Sequence, residues 1–197
     1  MEHEIKTIPL IRMRSGIPCR SPDRKAGAAS DSDPAFKVMT DFAMVTPITV
    51  EPILSIDLAL TKMKDSGVRL LLVTDVRDNI SGVITSYDIQ GEKPVKFSRQ
   101  SGVHHTRIRV ENIMTPLEDM PAFDFGFVQQ SLVRHVINTM KRLNRQHALV
   151  VEMEAARQNI RGMFSTTQIS KMVGVRVFDP MQASQSLAAM QHDRANY

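Results

Sequence analysis

One apolar pattern occurs twice along the chain, and this duplication restricts the fold more than any other feature. Met39-Thr40 and Met114-Thr115 stand 75 positions apart. Downstream, Ile56, Leu60 and Met63 correspond to Val133, Ile137 and Met140 at a constant offset of 77, and each triplet has the i, i+4, i+7 spacing of one helix face. Residues 70–75 correspond to 147–152 at the same offset, as short apolar runs of buried-strand character. Residues 82–89 and 162–169 follow at an offset of 80. The offset changes put two added residues before the helix and three in the turn after the strand, where insertions leave the core faces in register.

Each unit therefore reads as strand, helix, strand, strand, helix. The first strands are expected at 48–50 and 120–123, the last at 82–85 and 160–165, and Gly174 stops the final helix. The expected fold class is α/β, of the α+β kind, with two pseudo-symmetric β-α-β-β-α repeats in one module. Residues 1–36 read as a mobile tail and linker, because 21–34 are rich in Ser, Asp, Ala, Gly and Pro without apolar periodicity. Repeat one is expected over 37–90, an inter-repeat linker over 91–112 and repeat two over 113–174. A tail with a helix starting at Asp179-Pro180, and carrying Leu187 and Met190 on one face, is expected over 175–197.

Composition narrows the function. Aromatic residues are 5% with no Trp, so the core rests on aliphatic residues and 13 Met, and a base-stacking nucleic-acid platform is disfavoured. Met39, Met44, Met63, Met114, Met140, Met163 and Met172 are expected to pack the core rather than to handle copper. The net charge of +4 suits an anionic ligand, while dedicated nucleic-acid binders carry larger clustered charge. Cys19 is the sole cysteine, which fits a reducing, cytoplasmic setting. No apolar run approaches the ~18 residues that cross a bilayer. Arg12, Arg14, Arg20, Arg24 and Lys25 lend the start a transit-like charge, but Glu2, Glu4, Pro9 and Pro18 spoil an amphipathic basic helix. The parts of a nucleophilic or metal-assisted mechanism are missing: no nucleophile elbow, no His-Glu-x-x-His pair and no P-loop. No enzyme activity is expected.

The paired motifs VMTDF with GVITSYDI, and NIMTP with GMFSTTQI, resemble a tandem pair of CBS domains, named for cystathionine beta-synthase, over residues 37–174. The resemblance implies a non-enzymatic regulatory module whose repeats pack by their sheets about a pseudo-twofold axis. It implies two clefts for adenosine-containing ligands (AMP, ADP or ATP), pairing into a homodimer and an effector protein that receives the signal. In that family the closing Thr or Ser meets phosphate or ribose, and the Asp three residues later accepts from the ribose hydroxyls. Thr85 and Asp88 match this fully. In the second repeat Ser165 keeps the hydroxyl but Gln168 replaces the carboxylate with a weaker acceptor, so the cleft around Thr85 and Asp88 is expected to be the better equipped.

Each candidate also has a structural alternative. Asp88 and Thr85 suit the start of a helix, as dipole partner and cap. Arg69 precedes a strand and serves either phosphate or the sheet edge, and His147 enters a strand as ligand contact or as a satisfied core residue. His104, His105, Lys93, Lys96, Arg99, Arg107 and Arg109 read as a solvated linker, with phosphate or nucleic acid as the alternative. The functional alternatives are a ligand-free scaffold and, more weakly, nucleic-acid binding through tail and linker.

Overall fold

A computed structural model describes residues 29–155, 157–174 and 177. The expected C-terminal helix and the first 28 residues lie outside them. The first half holds β1 (Thr40–Asp41), β2 (Thr49–Val50), α1 (Ile56–Asp65), β3 (Leu70–Thr74), β4 (Ile80–Thr85) and α2 (Ser86–Gln90). Two helices follow, α3 (Lys93–Ser101) and α4 (Val110–Ile113). The second half holds β5 (Thr115–Pro116), β6 (Ala122–Asp124), α5 (Phe125–Gln130), α6 (Val133–Leu143), β7 (His147–Glu154), β8 (Arg157–Ser165) and α7 (Thr166–Val173). Short 3-10 turns cover Ala35–Val38, His105–Arg107 and Leu117–Asp119.

The local chemistry explains the boundaries. Ser55 caps α1 by accepting from the Leu58 N–H, and α6 ends on Asn144 in the left-handed conformation. Gly174, at φ 76°, ends α7 as the sequence indicates. The strands form two four-stranded sheets ordered β2-β3-β4-β5 and β1-β8-β7-β6. Because side chains alternate along a strand, β3 buries Leu71 and Val73 against the helices of its own half and turns Leu70 and Leu72 toward the other sheet. There they meet Val83, Leu149 and Met163, joining the two halves. Ile56, Met63, Val133, Ile137 and Met140 are buried as expected, and Leu60 is half-buried. Met44 departs from the expected methionine packing, being 81% exposed.

The halves exchange their opening segments. β1 pairs with β8, placing Thr40 opposite Met163 and Asp41 opposite Gly162, and β5 pairs with β4, placing Thr115 opposite Val83. Each Met-Thr pair therefore edges the sheet of the other half rather than opening its own. The two glycines make room for this. A Cβ on Gly82 would sit 2.6 Å from the Thr115 carbonyl oxygen, and one on Gly162 would strike the Thr40 carbonyl oxygen.

The preceding residues follow the same exchange and correct two expectations. Ala35 and Val38 bury in the second-half core, and the Asp33 and Asp31 carbonyls accept from Val133 N–H and Arg134 N–H at the start of α6. Residues 29–36 are thus docked, not a mobile linker. Equivalently, Ile108, Val110 and Ile113 bury in the first-half core, where the Leu54 carbonyl accepts from Val110 N–H. Residues 91–112 are correspondingly helical and packed rather than an open linker, while the side chains expected to be solvated, Lys93, Lys96, Arg99, His104, His105, Arg107 and Arg109, are exposed.

The insertions also fall differently in detail. The register equates Thr49 with Ala122, since they pair with Leu72 and Leu149, so the second half gains four residues between β6 and α6, and these help form α5. The three residues after β7 lengthen the hairpin ladder beyond its bulge, out to Glu154 opposite Arg157.

Candidate functional site

The edge exchange leaves a cavity of about 530 Å³ at the junction of the halves. One wall comes from the first half, with Val45, Thr46 and Ile48 leading into β2 and Gly67, Arg69 and Leu72 around β3. The opposite wall is the end of β8 and the first turns of α7, with Met163, Ser165, Thr167, Gln168 and Lys171. Thr40 and Phe42 close one side and His147 another. A smaller cavity of about 320 Å³ lies between the starts of α2 and α7 and shares Arg69, His147 and Thr167 with the first.

The structure gathers Arg69, His147, Ser165 and Gln168 around the larger cavity, and Arg69, His147 and Thr85 around the smaller one. Asp88 lines neither. Its Oδ2 accepts from the Thr85 N–H at 2.9 Å and the Thr85 hydroxyl at 2.7 Å, while the Asp88 N–H donates back to Thr85 Oγ1 at 3.1 Å. This is a reciprocal cap on α2. Asp88 Oδ1 holds the Lys93 ammonium at 2.8 Å. The expectation that the Thr85 and Asp88 cleft is the better equipped thus meets the opposite geometry, in which the open space adjoins Ser165 and Gln168.

The start of α7 differs from that of α2. Ser165 makes no side-chain cap, its hydroxyl has no hydrogen bond among the described residues, and the carbonyl of Gln146 takes the Thr166 N–H. The next first-turn N–H groups, of Thr167 and Gln168, have no partner within the helix, and the positive end of the helix dipole meets the cavity wall. Gln168 Oε1 accepts from the Thr40 hydroxyl at 2.9 Å, which leaves its amide NH₂ as donor. Arg69 and Lys171 form no ion pair among the described residues, so two uncommitted cations border the cavity. His147 opens β7 opposite Ser165. Burial pushes its imidazole down to about 4, with the Asp88 carboxylate pulling weakly the other way, so the ring is neutral near pH 7.

The arrangement offers an apolar slot of Phe42, Val45, Ile48, Leu72 and Met163, hydroxyl and amide groups at its edge, and a cationic end. It suits a flat apolar ring joined to a polar, negatively charged group, and its size falls within the ~300–1,000 Å³ of small-molecule sites. Sequence reasoning missed Lys171 and Thr40, and it read Lys93 as a linker cation without its contact to Asp88. Lys171 stands one turn beyond Gln168 on the same helix face and was open to that argument. Thr40 was visible as half of a repeated Met-Thr pair, but its contact with Gln168 depends on the strand exchange. The contact of Lys93 with Asp88 carries no local signal.

Residues 37–92 match the family model for the CBS domain. No curated protein matches the chain. Among solved structures, the fold is similar to an uncharacterized conserved protein from Pyrococcus horikoshii at 22% identity, covering 72% of this chain and 92% of that one with a TM-score of 0.51. Two further structures are the CBS-domain containing protein ATU1752 from Agrobacterium tumefaciens and CBSX2 in complex with AMP. The first has 19% identity, covers 68% of this chain and 93% of that one, and has a TM-score of 0.49. The second has 18% identity, covers 71% of this chain and 94% of that one, and has a TM-score of 0.48. At these identities the likeness is one of fold.

Proposed function

We propose that this chain, a CBS-domain protein, binds one adenosine-containing nucleotide, AMP, ADP or ATP, in the cavity between its halves and signals its occupancy to an effector protein. CBS-domain proteins are regulatory modules, and the chemistry of the cavity supports this role. The observation that carries the reading is the pairing of Arg69 and Lys171, neither in an ion pair among the described residues, with an apolar slot and the side-chain-uncapped start of α7. The base enters the slot beside Phe42 and Met163. Ser165, Thr40 and Gln168 meet the ribose, and the phosphates take Arg69, Lys171 and the first-turn N–H groups of α7. Nothing in this scheme breaks a covalent bond, and the module acts by binding.

Pairing of two copies belongs to the same reading. Leu58 on α1 and Leu143 on α6 are 57% and 44% exposed, apolar contacts that a second copy would cover. Light scattering should then exceed the 22.1 kDa of one chain.

A thermal scan with AMP, ADP and ATP at millimolar concentration tests the nucleotide claim. At ligand one hundredfold above its dissociation constant, selective binding to the folded state adds about 2.7 kcal/mol. For a chain of this size that raises the melting midpoint by roughly 5 to 10 °C. No shift with any nucleotide, in folded protein, would favour a ligand-free scaffold.

A further inference from the structure

The two halves begin with equivalent chemistry and finish it differently. In the second-half cleft, the Thr40 hydroxyl reaches Gln168 directly and open cavity adjoins the pair. In the first half the equivalent residues are Thr115 and Asp88, and Lys93 stands between them. Its ammonium lies 2.8 Å from Asp88 Oδ1, 3.1 Å from Thr115 Oγ1 and 3.1 Å from the Ile113 carbonyl oxygen. An ammonium has three N–H donors, and these three oxygens accept all of them.

The other oxygen of Asp88 is committed to Thr85, so the carboxylate has a protein partner on both sides. Lys93 is presented by α3, the helix that follows α2. At the repeat offset of 80 its equivalent is Val173, the last residue of α7. The helix is seated firmly enough to aim the side chain, since Pro94 is buried and Phe97 and Val103 pack against the first-half core. The contact is nevertheless at the rim, because the Lys93 side chain is 43% exposed, so water and salt reach it and it can open.

We infer that Lys93 is a built-in occupant of the first-half cleft: its ammonium donates to the acceptors that the vicinal hydroxyls of a ribose would otherwise use. The chain then has one open nucleotide cleft and one self-filled cleft, and the second becomes available when Lys93 leaves Asp88. This inference rests on the nucleotide reading above for the class of ligand, but its failure is separable from failure of that reading.

Calorimetric titration of AMP, ADP and ATP into the full chain, into Lys93→Met and into the Lys93→Met, Asp88→Ala double variant decides it. Methionine keeps most of the side-chain length and removes the donors. One nucleotide per chain is expected for the unaltered protein, two for Lys93→Met and one again for the double variant. Lys93→Arg, which retains a donor at this position, should stay at one. Unaltered protein that binds none, with Lys93→Met binding one that Asp88→Ala removes, would sink the open-cavity reading and support the self-filled cleft. A folded Lys93→Met protein with the same stoichiometry as the unaltered chain would overturn the inference, as would an absence of binding in every variant.

Discussion

His147 makes the fold sensitive to mild acid, and its replacement by leucine isolates that sensitivity. The first half has Leu70 at the equivalent register, opposite Thr85 as His147 is opposite Ser165, so leucine is already compatible with this site in the architecture. Burial holds the folded imidazole at about 4, against 6.5 in the unfolded chain. Between those values the unfolded chain binds a proton that the folded chain refuses, so stability rises with pH there and is lost as pH falls. The loss begins near 6.5, continues at about 1.4 kcal/mol per pH unit and stops near 4, where both states are protonated. From pH 7 to pH 5 it amounts to about 2 kcal/mol, which lowers the urea midpoint by roughly 1 M for a typical dependence of ~2 kcal/mol per M. Urea unfolding at pH 7, 6 and 5 should show this extra fall in the unaltered protein and not in His147→Leu. Parallel pH profiles for the two proteins would refute the argument, whatever their absolute stabilities.

The strand exchange predicts that Gly162→Ala and Gly82→Ala each destabilise by about 1–3 kcal/mol, because each new methyl meets a backbone carbonyl that must move. Urea unfolding of the two variants checks this, and unchanged midpoints would contradict it. Arg161 grips the exchanged β1 through paired bonds to Asp41 of 2.8 and 3.0 Å, reaches Glu152 at 3.0 Å and lies 4.6 Å over the Phe125 ring. The guanidinium holds the Asp41 carboxyl below its usual range, so this pair stabilises the fold above about pH 4 and is lost as pH falls through the lowered value. Arg161→Met should therefore lower the melting midpoint at pH 7 and flatten the loss of stability below pH 4. Phe164 is fully buried against Phe123, and Phe164→Ala should cost about 3–5 kcal/mol in the same unfolding assay.

Much of the fold was legible because each repeat carries local period and punctuation. The 3.6-residue spacing of Ile56 and Met63 and of Val133 and Met140 marks α1 and α6, and Gly174 marks the end of α7. What the chain order hides is which half a segment joins. Met39-Thr40 opens the first repeat in the sequence yet pairs with the second, because β1 completes the free edge of β8 and leaves its own sheet edge to β5. The same exchange hid the packing of residues 29–38 and 108–113, whose apolar Ala35, Val38, Ile108 and Val110 meet the other core.

The candidate residues were legible as a set but not in their division of labour. Arg69, His147, Ser165 and Gln168 border one cavity through the sheet-to-sheet packing, whereas the resemblance implies two clefts with the Thr85 and Asp88 one better equipped. Asp88 supports two local readings, and a sequence holds nothing to show that Lys93, five residues on, turns back onto its carboxylate. Lys171 is legible from helix spacing alone, one turn beyond Gln168, although it lies past the repeated motif that closes at Ile169.

The open cavity, as proposed, holds a nucleotide by its cationic end. Titration of AMP into the unaltered chain and into Lys171→Glu, followed by calorimetry at low salt, measures this directly. One nucleotide per chain is predicted for the unaltered protein, with affinity at least tenfold lower in the charge-reversed variant, since tenfold corresponds to only about 1.4 kcal/mol of a charge-assisted contact. Equal affinity in the two proteins, or no binding to either in folded form, would contradict it.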